Sequence, residues 1–357
     1  MASDFQSIPV IDLALAKSPA TRPILLQQLH HALTRVGFLY VSNHDVSQEA
    51  ISDLKQLLPQ LFELDPRSKD EVNLHNSPHF LGYSQVGSET TAGVEDKREQ
   101  FEFATELPNT WDADKPLYER LKGPNQWPSH DPVIRSVIRS VVGRYIEEMT
   151  QLGERFLQLV AEALEIPTDK LFSFLSDQHR LKLVHYPASE SIDPVGQGVG
   201  PHKDSSGWWT FLLQASPPHV KGLQALNKNG EWIHVPVLQN TFVVNIGQAF
   251  EVVTHGVCKA TTHRVLSGPL ERYSVPFFQG VRRNLTKEEA WETLQEYFIA
   301  ESTSPALDAG AHIDSAFLRG KYDTWGESQL RTKIRSHQDV GHKFYAEVLD
   351  QYVNDDV

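Results

Sequence analysis

Three side chains of this sequence have the types and spacing to bind one metal ion: His202, Asp204 and His263. In a β-strand, side chains at positions i and i+2 project from the same face, so His202 and Asp204 could bind the same ion while Lys203 points away. A second imidazole could come from His263, which lies in the strand-like segment 260–265. Two histidines and one carboxylate form the facial ligand set of non-haem Fe(II) sites, which leaves three coordination positions open.

A His-x-Asp tripeptide alone is weak evidence, because this sequence with 16 histidines contains it three times. The other two copies, at His312 and His337, fall in a segment with helical periodicity, where residues i and i+2 do not face the same way. His255 is a rival for the third ligand, but Gly256 follows it, and this pair is more typical of a turn. The sequence therefore favours the copy formed by His202 and Asp204, which precedes a region of predicted short strands.

Arg272 and Ser274 follow His263 in the next predicted strand, again at positions i and i+2, and form the only Arg-x-Ser of the sequence. A planar guanidinium offers paired donors to a carboxylate, and a neighbouring hydroxyl adds a third donor. A buried arginine without an acidic partner in its own strand needs an anion, which a bound organic acid would supply. An ion pair with a distant Asp or Glu is the alternative interpretation of Arg272.

The region around these residues is predicted to consist of short strands separated by turns. Asn229-Gly230 is a strong signal for a hairpin turn between two of these strands. Eight short strands within about 100 residues are typical of a barrel or a double-sheet roll. The predicted strands are 181–186, 209–214, 222–226, 231–235, 242–246, 249–254, 261–266 and 273–279.

Helices are predicted on both sides of this β core. An amphipathic helix ends at Gly37, a second covers Gln48–Glu63, and a long one runs from Pro132 to Ile166. A strand is predicted over Glu99–Thr105, and helical periodicity returns after Asn284. We therefore predict a single α+β domain, 1–357, with an N-terminal α/β region (1–130), a long helix (131–180), the β core (181–284) and C-terminal helices (285–357).

The composition excludes several classes of protein. The 357 residues include 33 Lys and Arg against 46 Asp and Glu, and a net charge of −13 disfavours binding to nucleic acids or anionic membranes. The single cysteine, Cys258, cannot form an internal disulfide, which excludes a disulfide-stapled scaffold. No apolar stretch approaches the roughly 20 residues of a membrane span. No signal peptide is visible, so we expect a cytoplasmic protein.

The ordered set of motifs resembles the Fe(II)/2-oxoglutarate-dependent oxygenases of the isopenicillin N synthase-like family. The similarity covers residues 8–280, and the stretch from Tyr322 to Tyr345 is most similar to fungal members. Each motif alone is common, whereas the ordered set is specific. The motifs are Ile8-Pro9-Val10-Ile11-Asp12, Val36-Gly37-Phe38-Leu39-Tyr40-Val41-Ser42-Asn43-His44, Gly82-Tyr83-Ser84, Lys182-Leu183-Val184-His185-Tyr186-Pro187, His202-Lys203-Asp204, Thr262-His263-Arg264-Val265 and Arg272-Tyr273-Ser274.

The resemblance implies a distorted double-stranded β-helix (jelly roll) as the core, in which His202, Asp204 and His263 would hold Fe(II). Arg272 and Ser274, helped by Tyr186, would bind the distal carboxylate of the co-substrate 2-oxoglutarate, and its keto-acid end would chelate the metal. Dioxygen would be the oxidant, and ascorbate is expected to be stimulatory. Tyr186 has an alternative interpretation as a core residue with a hydrogen-bonded hydroxyl.

Several positions depart from the usual pattern of the family. Leu81 stands where many relatives have Arg, and Val184 stands where plant relatives usually have Asn. The segment from Asp204 to Thr210 is one residue longer than the commonest pattern, which could reshape the pocket beside the iron. Lys182 falls where some relatives place a lysine near the site, but we expect it to be a solvated strand residue.

The substrate pocket is expected to be apolar, with a flexible entrance. Three glycines before the first proposed ligand predict a mobile loop that could gate entry, with an ordinary hairpin loop as the alternative; they are Gly196, Gly198 and Gly200. Four aromatic residues are predicted to form the pocket walls, although each could be a core residue instead: Phe101, Phe103, Trp208 and Phe278.

The sequence thus predicts an Fe(II)/2-oxoglutarate-dependent dioxygenase that hydroxylates a small molecule of the specialised-metabolite type and releases succinate and CO2. No catalytic residue is predicted beyond the iron ligands. One alternative is an oxidative cyclase or desaturase that works without 2-oxoglutarate, in which Arg272 and Ser274 would bind a substrate carboxylate. Another is a non-catalytic jelly-roll protein that binds a metabolite.

Overall fold

The chain folds into two facing β-sheets flanked by helices. The computed structural model describes residues 5–91, 94–129, 131–189, 197–205, 207–298, 317 and 322–354. Across the larger sheet, the described strands are in order β1 (Val10–Asp12), β2 (Phe38–Ser42), β12 (Thr241–Ile246), β9 (Trp209–Gln214), β14 (Arg272–Phe278), β7 (Arg180–Tyr186), β6 (Glu99–Ala104) and β3 (Gly82–Ser84). The smaller sheet contains β11 (Trp232–His234), β10 (Leu223–Leu226), β13 (His263–Leu266) and β8 (Gln197–His202), and β4 (Thr90–Thr91) pairs with β5 (Val94–Glu95).

The two sheets enclose an inner hydrophobic cluster. Tyr40 and Val243 of the larger sheet are buried there with Val199, Leu223 and Val265 of the smaller sheet. This arrangement, with helices outside it, is the α+β fold with a jelly-roll core that the sequence predicts.

The side chains of β7 alternate between the helices and the inside of this sandwich. Leu181 and Leu183 belong to the main hydrophobic core with the helices. Lys182, Val184 and Tyr186 face a cavity between the sheets instead. Successive side chains of a β-strand point to opposite faces, so only every second residue of β7 can contact a molecule bound in the cavity.

Helices cover the outer face of the larger sheet, and helices also form the C-terminal end of the described chain. N-caps are provided by Ser47 and Asp131, whose side chains accept backbone N–H groups of the first helical turn. The described helices are α1 (Arg22–His31, continued by a π-helical turn Ala32–Val36), α2 (Gln48–Phe62), α3 (Pro66–Glu71), α4 (Pro132–Ala163), α5 (Thr168–Phe172), α6 (Gln248–Val253), α7 (Lys287–Glu292), α8 (Gln295–Phe298), α9 (Trp325–Ser336), α10 (Gln338–Phe344) and α11 (Ala346–Val353). Short 3-10 helices cover Leu13–Lys17, Leu74–Asn76 and Leu117–Leu121.

Most of the predicted elements are confirmed, including the helix that ends at Gly37, the long α4, the strand over residues 99–104 and the hairpin at Gly230. The predicted strand 249–254 is wrong, because this segment is α6. A short apolar run has no periodicity that separates a buried strand from a buried helix, and here every residue from Ala249 to Val253 is buried.

The predicted glycine loop before His202 is also wrong for its described part, because Gly198 and Gly200 lie inside β8. A Cβ on Gly198 would lie only 3.1 Å from the ring of Tyr186, so this glycine lets β8 pass close to that side chain. Gly196 lies outside the described residues. Among the described residues, no helix is long and apolar enough to cross a membrane.

Candidate functional site

The two histidines and the aspartate of the predicted metal set come together at one end of the smaller sheet. His202 is the last residue of β8 and pairs in register with His263, the first residue of β13. The Nε2 atoms of His202 and His263 lie 3.6 and 3.7 Å from Oδ1 of Asp204. Asp204 follows the end of β8, so the loop, and not strand alternation, turns its carboxylate towards the imidazoles.

Hydrogen bonds fix which atoms of these three side chains are free to bind a metal. Nδ1 of His202 donates to the carbonyl of Gly200 at 2.8 Å, and Nδ1 of His263 donates to the carbonyl of Thr261 at 3.1 Å. Each bond leaves Nε2 of the ring available and sets its direction.

The carboxylate of Asp204 is oriented in the same way. Its Oδ2 accepts hydrogen bonds from the hydroxyl of Thr210 and from the amide Nδ2 of Asn245 at 2.7 Å. Oδ1 remains directed towards the two imidazoles. Thr210 and Asn245 were not anticipated from the sequence, because they come from β9 and β12 and no local motif links them to Asp204.

The electrostatics of the site favour the ligand forms of these side chains. Burial raises the pKa of Asp204, but nearby His263 and His202 and the Thr210 hydrogen bond together hold it well below its ordinary value. Burial, reinforced by His202, lowers the pKa of His263 to about 4. At neutral pH the site therefore presents a carboxylate and an unprotonated His263 ring, which are the forms that bind metal. This donor set fits a non-haem Fe(II) centre.

Arg272 is the second feature of the site. It is buried on β14, opposite Tyr186 of β7, and its guanidinium lies 5.0 Å from the centroid of the Tyr186 ring. Among the described residues, its Nη1 and Nη2 have no hydrogen-bond partner. Burial lowers the pKa of Arg272 from its ordinary value. The geometry gives no support for the alternative of an internal ion pair and fits a carboxylate ligand.

The metal set and the arginine open into the same cavity, which has a volume of about 370 Å³. Tyr186, Arg272 and Ser274 line it together with His202, Asp204 and His263. The structure thus brings together all six residues that the sequence proposes for the metal and the carboxylate.

The predicted aromatic walls require a correction. Phe278 lines the cavity, but Phe101, Phe103 and Trp208 are buried in the main core instead. Phe101 and Phe103 occupy the positions of β6 whose side chains face away from the cavity. Trp208 packs edge-on against Phe250 of α6 with ring centroids 5.4 Å apart.

Part of the cavity wall is charged, which the apolar expectation missed. Lys182, expected to be solvated, lines the cavity and forms an ion pair of 2.9 Å with Glu102. Lys333 of α9 reaches the same carboxylate at 2.7 Å. Alternation along β7 could have placed Lys182 beside Tyr186, but no sequence signal brings Lys333 to this strand.

The other candidate histidines have different roles. Nε2 of His255 bonds to the carbonyl of Trp291 at 3.0 Å, which agrees with its interpretation as a turn residue. His337 follows α9 and lies 2.9 Å from Glu89 in the charged wall. The third His-x-Asp copy, at His312, lies outside the described residues.

Comparisons with known proteins agree with this geometry. Residues 8–130 match the family model of the non-haem dioxygenase in morphine synthesis N-terminal domain, and residues 178–281 match that of the 2OG-Fe(II) oxygenase superfamily. The 2-oxoglutarate-dependent dioxygenase frbJ of Dothideomycetidae sp. (strain 11243) is 41% identical, over 97% of this chain and 94% of its own. This chain belongs to the 2OG-Fe(II) oxygenase superfamily.

The superfamily assignment is supported by other similar proteins. A 2-oxoglutarate-dependent dioxygenase of Gibberella zeae is 38% identical, over 98% of this chain and 94% of its own length. The fold is shared with a full-length Neurospora crassa protein in complex with alpha-KG and 5-formyluracil, at a TM-score of 0.70 and 21% identity over 91% of this chain and 95% of that one. The protein is therefore a dioxygenase of the family that uses Fe(II), 2-oxoglutarate and O2, as the sequence predicts.

Proposed function

We propose that this superfamily member hydroxylates a small molecule, with Fe(II) held by His202, Asp204 and His263. One oxygen atom of O2 enters the substrate as a hydroxyl group and the other enters succinate, while CO2 leaves from 2-oxoglutarate. The observation that carries the proposal is the unpaired, buried Arg272 in the cavity that the three ligand side chains share.

The proposed co-substrate site is formed by residues of neighbouring strands. Arg272 and Ser274 project from the same face of β14 and would bind the distal carboxylate of 2-oxoglutarate, with the Tyr186 ring packed against the guanidinium. A carboxylate held there would neutralise a guanidinium that has no internal partner among the described residues. The volume of about 370 Å³ suits a small organic substrate beside this co-substrate.

Bound Fe(II) supplies the oxidising chemistry, and the side chains of this chain supply position and environment. Hydrogen bonds from Thr210 and Asn245 keep Asp204 aimed at the metal position. Val184 and Leu212, which also line the cavity, present apolar surface that limits the access of water.

The direct test is succinate formation from 2-oxoglutarate under air with Fe(II), measured with and without a panel of small metabolites. The wild-type enzyme should form succinate slowly alone and faster with a substrate, and His202→Ala should lose both rates. The exposed His219→Ala variant is the matched control. Product formation that continues without 2-oxoglutarate would instead favour the oxidative cyclase or desaturase. Metabolite binding that survives His202→Ala, without any turnover of the wild type, would favour a binding protein.

A further inference from the structure

The charged part of the cavity wall is a buried ion cluster that the proposed iron and 2-oxoglutarate sites do not use. Glu102 is its centre and contacts Lys182 at 2.9 Å, Lys333 at 2.7 Å and Arg180 at 3.1 Å. Because Lys182 and Lys333 bind the same carboxylate, their ammonium groups are neighbours. Arg180 has few donors left for a ligand, because its guanidinium also donates hydrogen bonds to three backbone carbonyls.

A second carboxylate, Glu89, extends the cluster. It pairs with Arg98 at 2.7 Å and lies 3.6 Å from Lys182. Arg98 also pairs with Asp96 at 3.2 Å. Glu89, Glu102 and His337 lie close enough to hold a metal, but neighbouring lysines and arginines already neutralise the two carboxylates.

Among the described residues, this cluster contains one more lysine or arginine than carboxylate. The cations are Arg98, Arg180, Lys182 and Lys333, and the carboxylates are Glu89, Asp96 and Glu102. Burial lowers the pKa of Lys333 to about 8 although Glu102 opposes the shift. A buried surplus of positive charge is costly unless an anion joins it.

Both the lysines and the carboxylates of this cluster line the cavity, but the lysine side chains are the more exposed. The side chains of Lys182 and Lys333 are 16% and 17% exposed, whereas that of Glu102 is fully buried. The ammonium groups of Lys182 and Lys333 are therefore more accessible to a molecule in the cavity than the carboxylate of Glu102.

The register of the strands places this cluster near the metal set. Thr210, which binds Asp204, lies opposite Phe278 of β14, and Phe278 lies opposite Arg180 of β7. Lys182 is four residues from Tyr186 on the same face of β7, or about 13 Å along the strand. A substrate held at Lys182 would therefore lie in the same cavity as the metal set, without overlapping the arginine end of the cavity.

We propose that the substrate carries an oxyanion, a carboxylate or a phosphate, which binds between the ammonium groups of Lys182 and Lys333. This inference rests on the proposed function, because it assigns the substrate class of the same cavity. Two ammonium groups can both donate to one oxyanion, and such charge-assisted hydrogen bonds are the strong ones. The anion would also neutralise the surplus charge of the cluster.

The test measures anion binding by the enzyme loaded with Mn(II) and 2-oxoglutarate, in which the arginine end is already filled. Sulfate, inorganic phosphate and acetate are titrated at constant ionic strength against chloride, and the melting temperature is followed. We expect a saturable rise with the wild type, and Lys333→Met should weaken the apparent affinity about tenfold or more. Lys333→Arg should restore most of it, and Lys343→Met on the neighbouring α10 is the matched control.

Two outcomes would overturn the proposal: no saturable rise with any of the oxyanions, or an equal rise in Lys333→Met. The relative effect of acetate and phosphate distinguishes a carboxylate site from a phosphate site. If Mn(II) and 2-oxoglutarate themselves do not raise the melting temperature, the proposed function fails instead. For any substrate found by turnover, the acid should be preferred at least about tenfold over its primary amide, and Lys333→Met should remove that preference.

Discussion

At the scale of single residues, the two oxygens of Asp204 have separate tasks. Oδ2 is held by Thr210 and Asn245, which leaves Oδ1 free for the proposed metal. Residues that orient a metal ligand in this way typically contribute about 10- to 100-fold to metal affinity. Thr210→Val keeps the shape of the side chain and removes the hydroxyl, so we expect it to weaken Fe(II) binding by about that factor.

The measurement is an anaerobic Fe(II) titration of the purified protein. Thr241→Val is the matched control, because its hydroxyl donates only to the carbonyl of Leu238, outside the site. Equal dissociation constants for Thr210→Val and the wild type would show that Asp204 is positioned without this hydrogen bond.

We expect Arg272 to bind the co-substrate and, in the protein without ligand, to lower the stability of the fold. In the free protein its guanidinium is buried, and no described residue forms a hydrogen bond with Nη1 or Nη2, so replacement by an apolar side chain of similar length removes a buried charge that faces the Tyr186 ring. We expect Arg272→Met to leave the melting temperature of the protein without ligand unchanged or higher. The same variant should bind 2-oxoglutarate at least about 10- to 100-fold more weakly, because the loss of even one charge-assisted hydrogen bond costs about 1.5–3 kcal/mol.

Calorimetry of the unloaded protein and 2-oxoglutarate titration of the Mn(II)-loaded protein measure the two effects separately. The exposed Arg139→Met variant controls for the general effect of losing a surface cation. A large drop in melting temperature with unchanged co-substrate binding would assign Arg272 a purely structural role.

At the scale of elements, Gly37 connects the first helical segment to β2. It has a φ of +73°, and a Cβ there would lie 2.2 Å from the carbonyl oxygen of Lys259. Gly37→Ala should therefore destabilise the protein by at least about 2 kcal/mol. Gly143 is an exposed glycine inside α4 with open space around it, so Gly143→Ala should stabilise by about 0.5–1 kcal/mol. Thermal unfolding of the two variants should show shifts of opposite sign, and a similar small shift for both would contradict the prediction.

The sequence was sufficient for most strands and for choosing three side chains that lie close together, because local patterns indicate both. Strand alternation and hairpin signals act over a few residues, and His202, Asp204 and His263 each lie in or next to a predictable strand. Local patterns did not predict α6, because all side chains from Ala249 to Val253 are buried. No exposed polar face therefore reveals the helical period. Local patterns also failed for Thr210 and Asn245, which reach Asp204 from two other strands.

At the scale of the whole molecule, the charged wall is assembled from three distant parts of the chain. Glu89 and Glu102 come from the N-terminal part, Lys182 from β7 and Lys333 from α9. Lys333 and Glu102 are 231 residues apart in sequence. α9 packs through Leu330 into a hydrophobic cluster that also includes residues of the following C-terminal helices and of the N-terminal part of the chain. Such a contact depends on how the C-terminal helices pack, which composition and periodicity do not determine.

The stability of the whole molecule should decrease below about pH 6.5 because of a buried histidine outside the charged wall. His179 is 4% exposed, and burial, partly opposed by Asp177, lowers its pKa from 6.5 to about 4. Its Nδ1 accepts a hydrogen bond from the backbone N–H of Gly280, which protonation would abolish. Between about pH 6.5 and 4 the unfolded chain binds a proton at this position that the folded chain does not, so stability falls as the pH is lowered through this range.

At about pH 5 the contribution of His179 to this loss is about 2 kcal/mol relative to neutral pH. Melting temperatures of the wild type and of His179→Gln, measured from about pH 7.5 to 5, should show a shallower pH dependence in the variant. His219→Gln, an exposed histidine, should retain the wild-type slope. Parallel curves for the wild type and His179→Gln would mean that His179 is protonated in the folded protein, which is incompatible with its acceptor bond to Gly280.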